Sequence, residues 1–282
     1  MPTSGQVLGV VLAGGTGSRL APLTRTINKH ILPVNGRPML YWPLRSLWLS
    51  GVRLAVVVLG GKSAGEIVEQ FGSSFTPDDP PGVGGVTGHP DDAMALCYVH
   101  QSEPGRIGQA LGVVRPVTEA VGATRLVVLL GDNVFPEAIP VGATDPLAVN
   151  AEIVCVEAID AEERYGCVAW ASGSRIVGPF EKPRRPPPDG MRWFAVTGAY
   201  RLPVGWYVAG SSEPTVYRSL LTTLATLGKS ARGEVEVTDL LAGLLADGRL
   251  DALRTSRPWI DAGEPDGYRT ANDPAFWRGE GG

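Results

Sequence analysis

The sequence is poor in the residues that build disulfide frameworks and structural metal sites. Its three cysteines, Cys97, Cys155 and Cys167, form no CxxC spacing and cannot all pair with one another. Its three histidines show no metal-ligand spacing. These absences exclude a disulfide-rich scaffold and a zinc module, and they are typical of a protein whose thiols stay reduced.

Long hydrophobic runs and a strong net charge are also missing. No run of about 18 apolar residues could span a bilayer, and no basic-flanked apolar segment opens the chain. The net charge of −4 gives no general attraction to nucleic acid or to anionic membranes. We therefore expect a cytoplasmic protein with no nucleic-acid and no membrane partner, in which any anion site is local.

What the chain does contain is an alternation of strand and helix patterns. Residues 7–13 and 54–59 are short, β-branched and almost continuously apolar, which predicts buried parallel strands, and residues 38–50 between them predict a helix. Further strands are predicted at 94–100, 125–130, 151–158 and 194–202 with a hairpin at 164–181, and further helices at Ser63–Phe71, 108–121, 214–226 and 234–246. This order predicts an α/β fold, a three-layer Rossmann-like arrangement with a mixed, mostly parallel sheet. The polar segment 73–92 is predicted to be a surface excursion or a lid.

The stretch GVVLAGGTGSRLAP, residues 9–22, resembles a strand that feeds a phosphate-binding loop, yet it fits neither common nucleotide motif. A dinucleotide fingerprint needs a third glycine where Leu20 stands, and an acidic residue where the chain has Asn35 and Arg37. A Walker A loop ending at Gly61-Lys62-Ser63 would need glycine in place of Val56. A dehydrogenase and a P-loop ATPase are therefore not favoured.

The loop nevertheless offers several groups that bind phosphate. Its glycines expose backbone amides, Thr16 adds a hydroxyl, and the cations Arg19 and Lys29 follow. Flexible amides with two cations suit a triphosphate. The alternative is an ordinary tight turn with solvated charges.

Two aspartates stand where strands are predicted to end. Asp132 follows an apolar run and a glycine, and Asp261 ends the run in WIDAG. Ligands of open α/β sheets bind at the carboxyl ends of the strands, so the two carboxylates could converge on one Mg²⁺. Each could instead be a turn-forming aspartate.

Six sequence blocks in order resemble the signature of the sugar-1-phosphate nucleotidylyltransferases, most closely the glucose-1-phosphate thymidylyltransferase type. They are LAGGTGSRLAPLTRTINKHILPVNGRPMLYWPL at 12–44, LLGDN at 129–133, FEKP at 180–183, AVTGAY at 195–200, ARGEVEVTDL at 231–240 and PWIDAG at 258–263. The resemblance covers nearly the whole chain. It implies one nucleotidyltransferase domain over 1–282, with a nucleotide-binding half at about 1–135 and a sugar-binding half at about 136–265.

The resemblance also implies a role for each matching residue. The catalytic cations would be Arg19 on the β- and γ-phosphates, Lys29 on the transferring α-phosphate and Lys182 on the sugar phosphate. Asp132 and Asp261 would hold Mg²⁺. Nucleotide contacts would come from Leu12, Ala13, Gly14, Gly15, Thr16, Gly17 and, at the pyrimidine edge, Gln109. Sugar contacts would come from Leu130, Tyr165, Gly166, Glu181, Val196 and Trp259.

The implied reaction joins a nucleoside triphosphate, dTTP or UTP, to a sugar 1-phosphate, with glucose 1-phosphate as the default, and releases pyrophosphate. A homo-oligomer, dimer or tetramer, is expected at the level of the family. Alternatives are a UTP-using enzyme for another or modified sugar, and a catalytically silent nucleotide-binding homologue. Two positions stay open: Arg232 is an anion contact or part of a structural ion pair, and His30 contacts the nucleotide or packs in the interior.

Overall fold

The computed structural model describes most of the chain, leaving out its ends and several internal segments. The described residues are 6–60, 64–78, 87–102, 107–139, 150–158, 162–171, 176–207, 217–220, 222–223, 237–256 and 258–278. Arg232, residues 61–63 and the centre of the 73–92 segment lie outside them. None of the helices in these ranges has the length and apolarity needed to cross a membrane.

Short strands and helices alternate along the first half of the chain, and strands dominate the second half. The strands are β1 (Gln6–Ala13), β2 (Pro33–Val34), β3 (Arg37–Pro38), β4 (Leu54–Gly60), β5 (Ser74–Phe75), β6 (Met94–Gln101), β7 (Ala123–Leu130), β8 (Asn133–Val134), β9 (Ala151–Glu157), β10 (Gly166–Trp170), β11 (Val177–Glu181), β12 (Arg192–Pro203), β13 (Gly205–Tyr207), β14 (Tyr217–Ser219), β15 (Leu250–Arg254) and β16 (Ile260–Asp261). The helices are α1 (Tyr41–Leu49), α2 (Ala64–Phe71), α3 (Ile107–Val113), α4 (Arg115–Ala120), α5 (Val237–Ala246), α6 (Pro265–Ala271) and α7 (Pro274–Trp277).

The central sheet has the strand order β11-β10-β12-β7-β1-β4-β6-β5, and β9 pairs with both β12 and β15. Strands β7, β1, β4 and β6 are parallel neighbours, whereas β12 runs antiparallel to β7, β9 and β10. The predicted α/β class with a mixed, mostly parallel sheet is confirmed.

Alternating residues of the parallel strands enter two separate apolar cores, as the period of two in a strand requires. Val11 and Val57 point to the side covered by α1 and α2. Val10 and Val56 point to the opposite side, which α3, α4 and α5 cover. The sheet is therefore the middle of three layers.

Three helix predictions need correction. The helix predicted at 38–50 begins only at Tyr41, because Asn35 and Gly36, with φ of 45° and 75°, turn β2 back onto β3. The helix predicted at 108–121 is two helices, because Pro116 in the first turn of α4 cannot donate the hydrogen bond that would continue α3. Within the helix predicted at 214–226, β14 is a strand paired with β13.

Candidate active site

The site lies at the carboxyl ends of two neighbouring parallel strands. From β1 the chain proceeds to β4 and β6 and then returns to β7 on the other side of β1. Such a reversal opens a crevice outside the strand ends, where ligands of α/β sheets bind. The glycine loop follows β1, and Asp132 follows β7.

A buried ion pair occupies the floor of this crevice. Lys29 Nζ lies 2.5 Å from Asp132 Oδ2, and the two side chains are 10% and 11% exposed. The glycine loop wraps the lysine so closely that a Cβ at Gly15 would lie 3.2 Å from Nζ, and one at Gly17 would lie 2.9 Å from Lys29 Cβ. Gly17 also has a φ of 68°, which glycine adopts without strain. The loop glycines therefore place the ammonium against the strand end.

The charge state of Asp132 follows from this pairing. Burial alone would raise its pKa, but the Lys29 ammonium and its hydrogen bond outweigh burial and lower the pKa to about 2. Asn133 Nδ2 donates a further hydrogen bond to Asp132 Oδ1 at 3.1 Å. Asp132 is therefore an anion at neutral pH.

A two-stranded ribbon brings the second aspartate to the first. β16 pairs antiparallel with β8, which sets Asp261 opposite Asn133, and the Ala262 amide donates to the carbonyl of Asp132 at 2.9 Å. A Cβ at Gly263 would clash with Asp132 Oδ2 and would lie 2.9 Å from Asp261 Oδ1, so both carboxylates face the same small space. Burial and the negative charge of Asp132 raise the pKa of Asp261 to about 6.

This pair of aspartates fits a divalent cation. Burial is the main cause of the raised pKa of Asp261, and repulsion by the Asp132 carboxylate adds to it. A cation between the two carboxylates would relieve that repulsion. Two protein carboxylates with phosphate oxygens and water make up the hard oxygen donor set that Mg²⁺ prefers. No group of three acidic, histidine or cysteine ligands occurs in the described ranges, so the substrates would have to complete the coordination.

Two cavities adjoin these charges. The glycine-loop cavity, of about 210 Å³, is lined by Leu12, Gly14, Gly15, Lys29, Gln101, Ile107, Ala110, Leu130 and Asp132. The aromatic cavity, of about 280 Å³, includes Arg19, Arg164, Tyr165, Trp259 and Asp261 in its wall. Leu130 and Ile107 line both cavities, so the two are neighbours with the aspartates at their boundary.

All six residues that the resemblance assigned to a sugar line the aromatic cavity, namely Leu130, Tyr165, Gly166, Glu181, Val196 and Trp259. The Tyr165 and Trp259 rings meet edge to face, with centroids 5.2 Å apart. Trp259 Nε1 donates to Asn133 Oδ1 at 2.6 Å. The aromatic wall is thereby tied to the residue that follows Asp132.

Two predicted site residues, Gln109 and Lys182, are placed differently from the rest. Gln109 is exposed on α3 and is absent from the lining of both cavities. Lys182 is exposed at the end of β11, where its amide donates to the Tyr165 carbonyl at 3.1 Å. Arg232 lies outside the described residues. In the glycine loop, Thr16 is exposed and Ala13 is buried in the core beneath it.

The structure adds Gln101, which sequence reasoning missed. It ends β6, is 4% exposed and lines the glycine-loop cavity, where its Nε2 has no hydrogen-bond partner among the described residues. A buried amide without a partner is costly, which suggests a ligand partner. Its place at the carboxyl end of a parallel strand was the available signal.

His30 is fully buried, which supports the packing alternative for this residue. Its Nδ1 lies 2.9 Å from Asn28 Oδ1, and its Nε2 lies so close to Gly131 that a Cβ there would be 2.8 Å away. Burial and the neighbouring Lys29 ammonium lower the pKa of His30 to about 3. The ring is therefore a neutral wedge between the loop and the end of β7.

An α/β sheet with a glycine loop, a buried lysine–aspartate pair and a second convergent aspartate defines an enzyme that handles phosphate esters. The sequence model of the nucleotidyl transferase family matches residues 8–275, and the chain belongs to that family. Among curated proteins, a glucose-1-phosphate thymidylyltransferase of Neisseria meningitidis serogroup A is 30% identical over 90% of this chain and 77% of its own length.

Solved structures agree with this assignment. One described as a glucose-1-phosphate thymidylyltransferase from Bacillus anthracis, in complex with sucrose, is 31% identical and superposes with a TM-score of 0.71 over 94% of each chain. A UDP-glucose pyrophosphorylase in complex with UDP-glucose shares the fold with a TM-score of 0.69 at 18% identity, covering 97% of this chain and 99% of its own. The protein is a nucleotidyltransferase.

Proposed function

We propose that the protein transfers a nucleotidyl group from dTTP, or from UTP, to a sugar 1-phosphate, with glucose 1-phosphate as the first candidate, in a Mg²⁺-dependent reaction that releases pyrophosphate. The observation that carries the proposal is the placement of Lys29, Asp132 and Asp261 at the boundary between two neighbouring cavities. The names of the relatives support thymidine and glucose as the default pair.

In this proposal the glycine-loop cavity holds the nucleotide and the aromatic cavity holds the sugar. Gln101, whose buried amide Nε2 has no hydrogen-bond partner among the residues that the structure describes, bonds to the base edge in place of Gln109. The backbone of the glycine loop and Thr16 approach the triphosphate, because glycines let a polyanion come close to amides. Glu181, in the wall of the aromatic cavity, accepts hydrogen bonds from sugar hydroxyls.

The reaction needs positioning and charge neutralisation more than acid–base chemistry. The phosphate oxygen of the sugar 1-phosphate is already an anionic nucleophile; it attacks the α-phosphorus in line and pyrophosphate leaves. In the proposed reaction Lys29 neutralises the α-phosphate, Arg19 serves the outer phosphates and Lys182 serves the sugar phosphate. Bound Mg²⁺, held by Asp132 and Asp261, would offset the repulsion between the two polyanions.

A substrate matrix tests the proposal. Pyrophosphate release is measured with dTTP, UTP, ATP and GTP against glucose, galactose, mannose and N-acetylglucosamine 1-phosphates, each with Mg²⁺ and with EDTA. We expect turnover with a pyrimidine nucleotide and one of the hexose phosphates, and none in EDTA. Absence of turnover with every pair would reject the proposal, and turnover with a purine nucleotide alone would reject its nucleotide half.

A further inference from the structure

Two arginines from distant parts of the chain form ion pairs with one carboxylate at the edge of the active site. Arg19, which follows the glycine loop, pairs with Glu264 Oε1, and Arg164 Nη2 lies 3.0 Å from Glu264 Oε2. Both arginines line the aromatic cavity, as does Asp261. The Glu264 carboxylate therefore accepts from N–H groups of two arginines in the wall of the aromatic cavity.

The position of Glu264 in the chain makes this arrangement informative. It is the N-cap residue of α6, where a side chain ordinarily accepts hydrogen bonds from the first-turn amides, yet it makes no such capping bond. Its carboxylate instead reaches the two arginines, on the same side as Asp261. Asp261 and Glu264 thus lie close to the two arginines, beside a cavity that the proposed substrates must enter with further negative charge.

We propose that Arg19 and Arg164 form a single phosphate subsite, and that Glu264 is its resident counter-ion, which substrate phosphate displaces. This inference rests on the proposed function and deepens it, because it adds Arg164 and Glu264 to the residues that handle phosphate.

The displacement is physically reasonable on three counts. The side chains of Arg19 and Arg164 are 55% and 43% exposed, so their ion pairs with Glu264 are weak and exchangeable. A phosphate group presents more acceptor oxygens and more charge to a pair of guanidinium forks than one carboxylate does. Once released, the Glu264 carboxylate can turn to the first-turn amides of its own helix, which favour a negative charge.

The position of Arg164 is fixed independently of Glu264. It ends a 3-10 turn, and its guanidinium carbon lies 5.6 Å from the centre of the Tyr165 ring. Tyr165 is in turn packed against Trp259. Losing the Glu264 carboxylate would therefore free the donor face of Arg164 without removing its support.

Equilibrium binding of small phosphate anions to the full chain tests the proposal. Inorganic pyrophosphate is titrated calorimetrically into wild type, Glu264→Gln, Arg164→Gln and a control, Glu157→Gln. Glu157 also bridges two arginines, Arg192 at 2.7 Å and Arg254 at 2.9 Å, and it lines neither of the two cavities. Tripolyphosphate and glucose 1-phosphate as further titrants distinguish a subsite for the nucleotide tail from one for the sugar phosphate.

We expect Glu264→Gln to bind pyrophosphate up to about fivefold more tightly, the range of an exposed ion pair. Arg164→Gln should bind it at least about tenfold more weakly, as the loss of charge-assisted hydrogen bonds predicts. Glu157→Gln should match wild type. If Arg164→Gln does not fold, Arg164→Lys replaces it, and several-fold weaker binding is expected because the bidentate fork is lost.

Unchanged or weaker binding by Glu264→Gln would overturn the proposal, since the carboxylate would then hold the arginines in place rather than compete. Unchanged binding by the Arg164 variant would overturn it as well. None of these titrations needs nucleotide or turnover. A protein that fails the substrate matrix can therefore still pass this test, and the reverse also holds.

Discussion

Lys29 and Asp132 are both charged and almost fully buried, and each stabilises the charged form of the other. An isolated buried charge costs several kcal/mol, whereas a close pair with further hydrogen bonds offsets much of that cost. The 2.5 Å contact and the additional bond from Asn133 supply this compensation. The same pair supplies the ammonium and the carboxylate that the proposed chemistry uses, so stability and activity depend on the same atoms.

Lys29→Met should separate these two roles. The substitution leaves Asp132 buried without its cation, which should lower the free energy of unfolding by about 3 kcal/mol and turnover by at least about 100-fold. Adding Asp132→Asn should restore most of the stability and none of the activity. Urea denaturation and pyrophosphate release measure the two effects.

Arg115→Met is the control for this experiment, since it breaks an exposed pair with Glu119 and should change stability by less than about 0.5 kcal/mol. A Lys29→Met protein as stable as wild type would show that the pair is not needed to keep Asp132 buried.

Gln101 and Gln109 are a matched pair for testing which amide contacts the base. Gln101→Leu should raise the KM for the nucleotide about tenfold or more and weaken discrimination between bases, because it removes a buried hydrogen-bonding group. Gln109→Leu, on the exposed face of α3, should leave both unchanged. Steady-state kinetics with dTTP and UTP measure both effects. A larger KM increase for Gln109→Leu than for Gln101→Leu would contradict the placement of Gln101 at the base edge.

His30 should make the protein acid-sensitive. Its pKa is about 3 in the folded state, against 6.5 ordinarily, so below pH 6.5 the unfolded chain binds a proton that the folded chain refuses. Stability should therefore be full above pH 6.5 and fall by up to about 1.4 kcal/mol per pH unit below it. His30→Leu should flatten this slope, whereas His100→Gln, at an exposed position, should not. Equal slopes for His30→Leu and wild type between pH 5 and 6.5 would contradict the assignment.

At the scale of elements, the short ribbon of β8 and β16 decides whether two aspartates become one site. Gly263 lies where a Cβ would meet both carboxylates, and a Cβ at Gly267 would collide with the Asp261 carbonyl, so α6 packs directly behind the ribbon. The two glycines let the backbone approach this closely.

Gly263→Ala should push the carboxylates from their positions. We expect activity about 10- to 100-fold lower at a fixed Mg²⁺ concentration, with part of the loss recovered at high Mg²⁺, because misplaced ligands would weaken the proposed metal site. Gly65→Ala in α2 is the control, since nothing lies within 4 Å of a Cβ there. A Gly263→Ala enzyme with an unchanged Mg²⁺ dependence would argue against a metal held by both aspartates.

How much of this site the sequence predicts depends on how far apart in the chain the interacting residues are. The glycine loop, Lys29 and the two aspartates stand in contiguous blocks, so their residue types and order could be recognised. Local turn chemistry was available but overlooked at Asn35-Gly36, where the hairpin of β2 and β3 delays α1. Gln101 follows a predicted strand and Gln109 lies in a predicted helix, but only tertiary packing buries the first and exposes the second. The contact of Arg19 with Glu264 spans 245 positions, and no local pattern encodes it.

At the scale of the whole molecule, β12 joins the parallel strands that begin with β7 to the antiparallel strand β10. Its residues 199–203 continue the sheet from β7, and residues 192–195 pair with β10. Between these segments the register of β12 against β9 shifts. Gly198, which has a φ of 71°, lies in this stretch. It packs so closely against Leu130 that a Cβ at Gly198 would lie 2.7 Å from the Leu130 side chain. Leu130 lines both cavities, so the irregularity in β12 shapes the boundary between them.

A ligand that fills both cavities at once should therefore stabilise the fold more than one that fills either alone. At equal concentration, an NDP-sugar product with Mg²⁺ should raise the melting temperature more than the nucleoside triphosphate or the sugar 1-phosphate, and at 100 times its Kd it should add about 2.7 kcal/mol. EDTA should reduce the shift, because Asp132 and Asp261 would then repel the diphosphate unscreened. Thermal denaturation with each ligand in turn measures this, with NADPH as the control that should give no shift. If the separate substrates each stabilise the protein as much as the product does, the two cavities do not act as one site across Leu130.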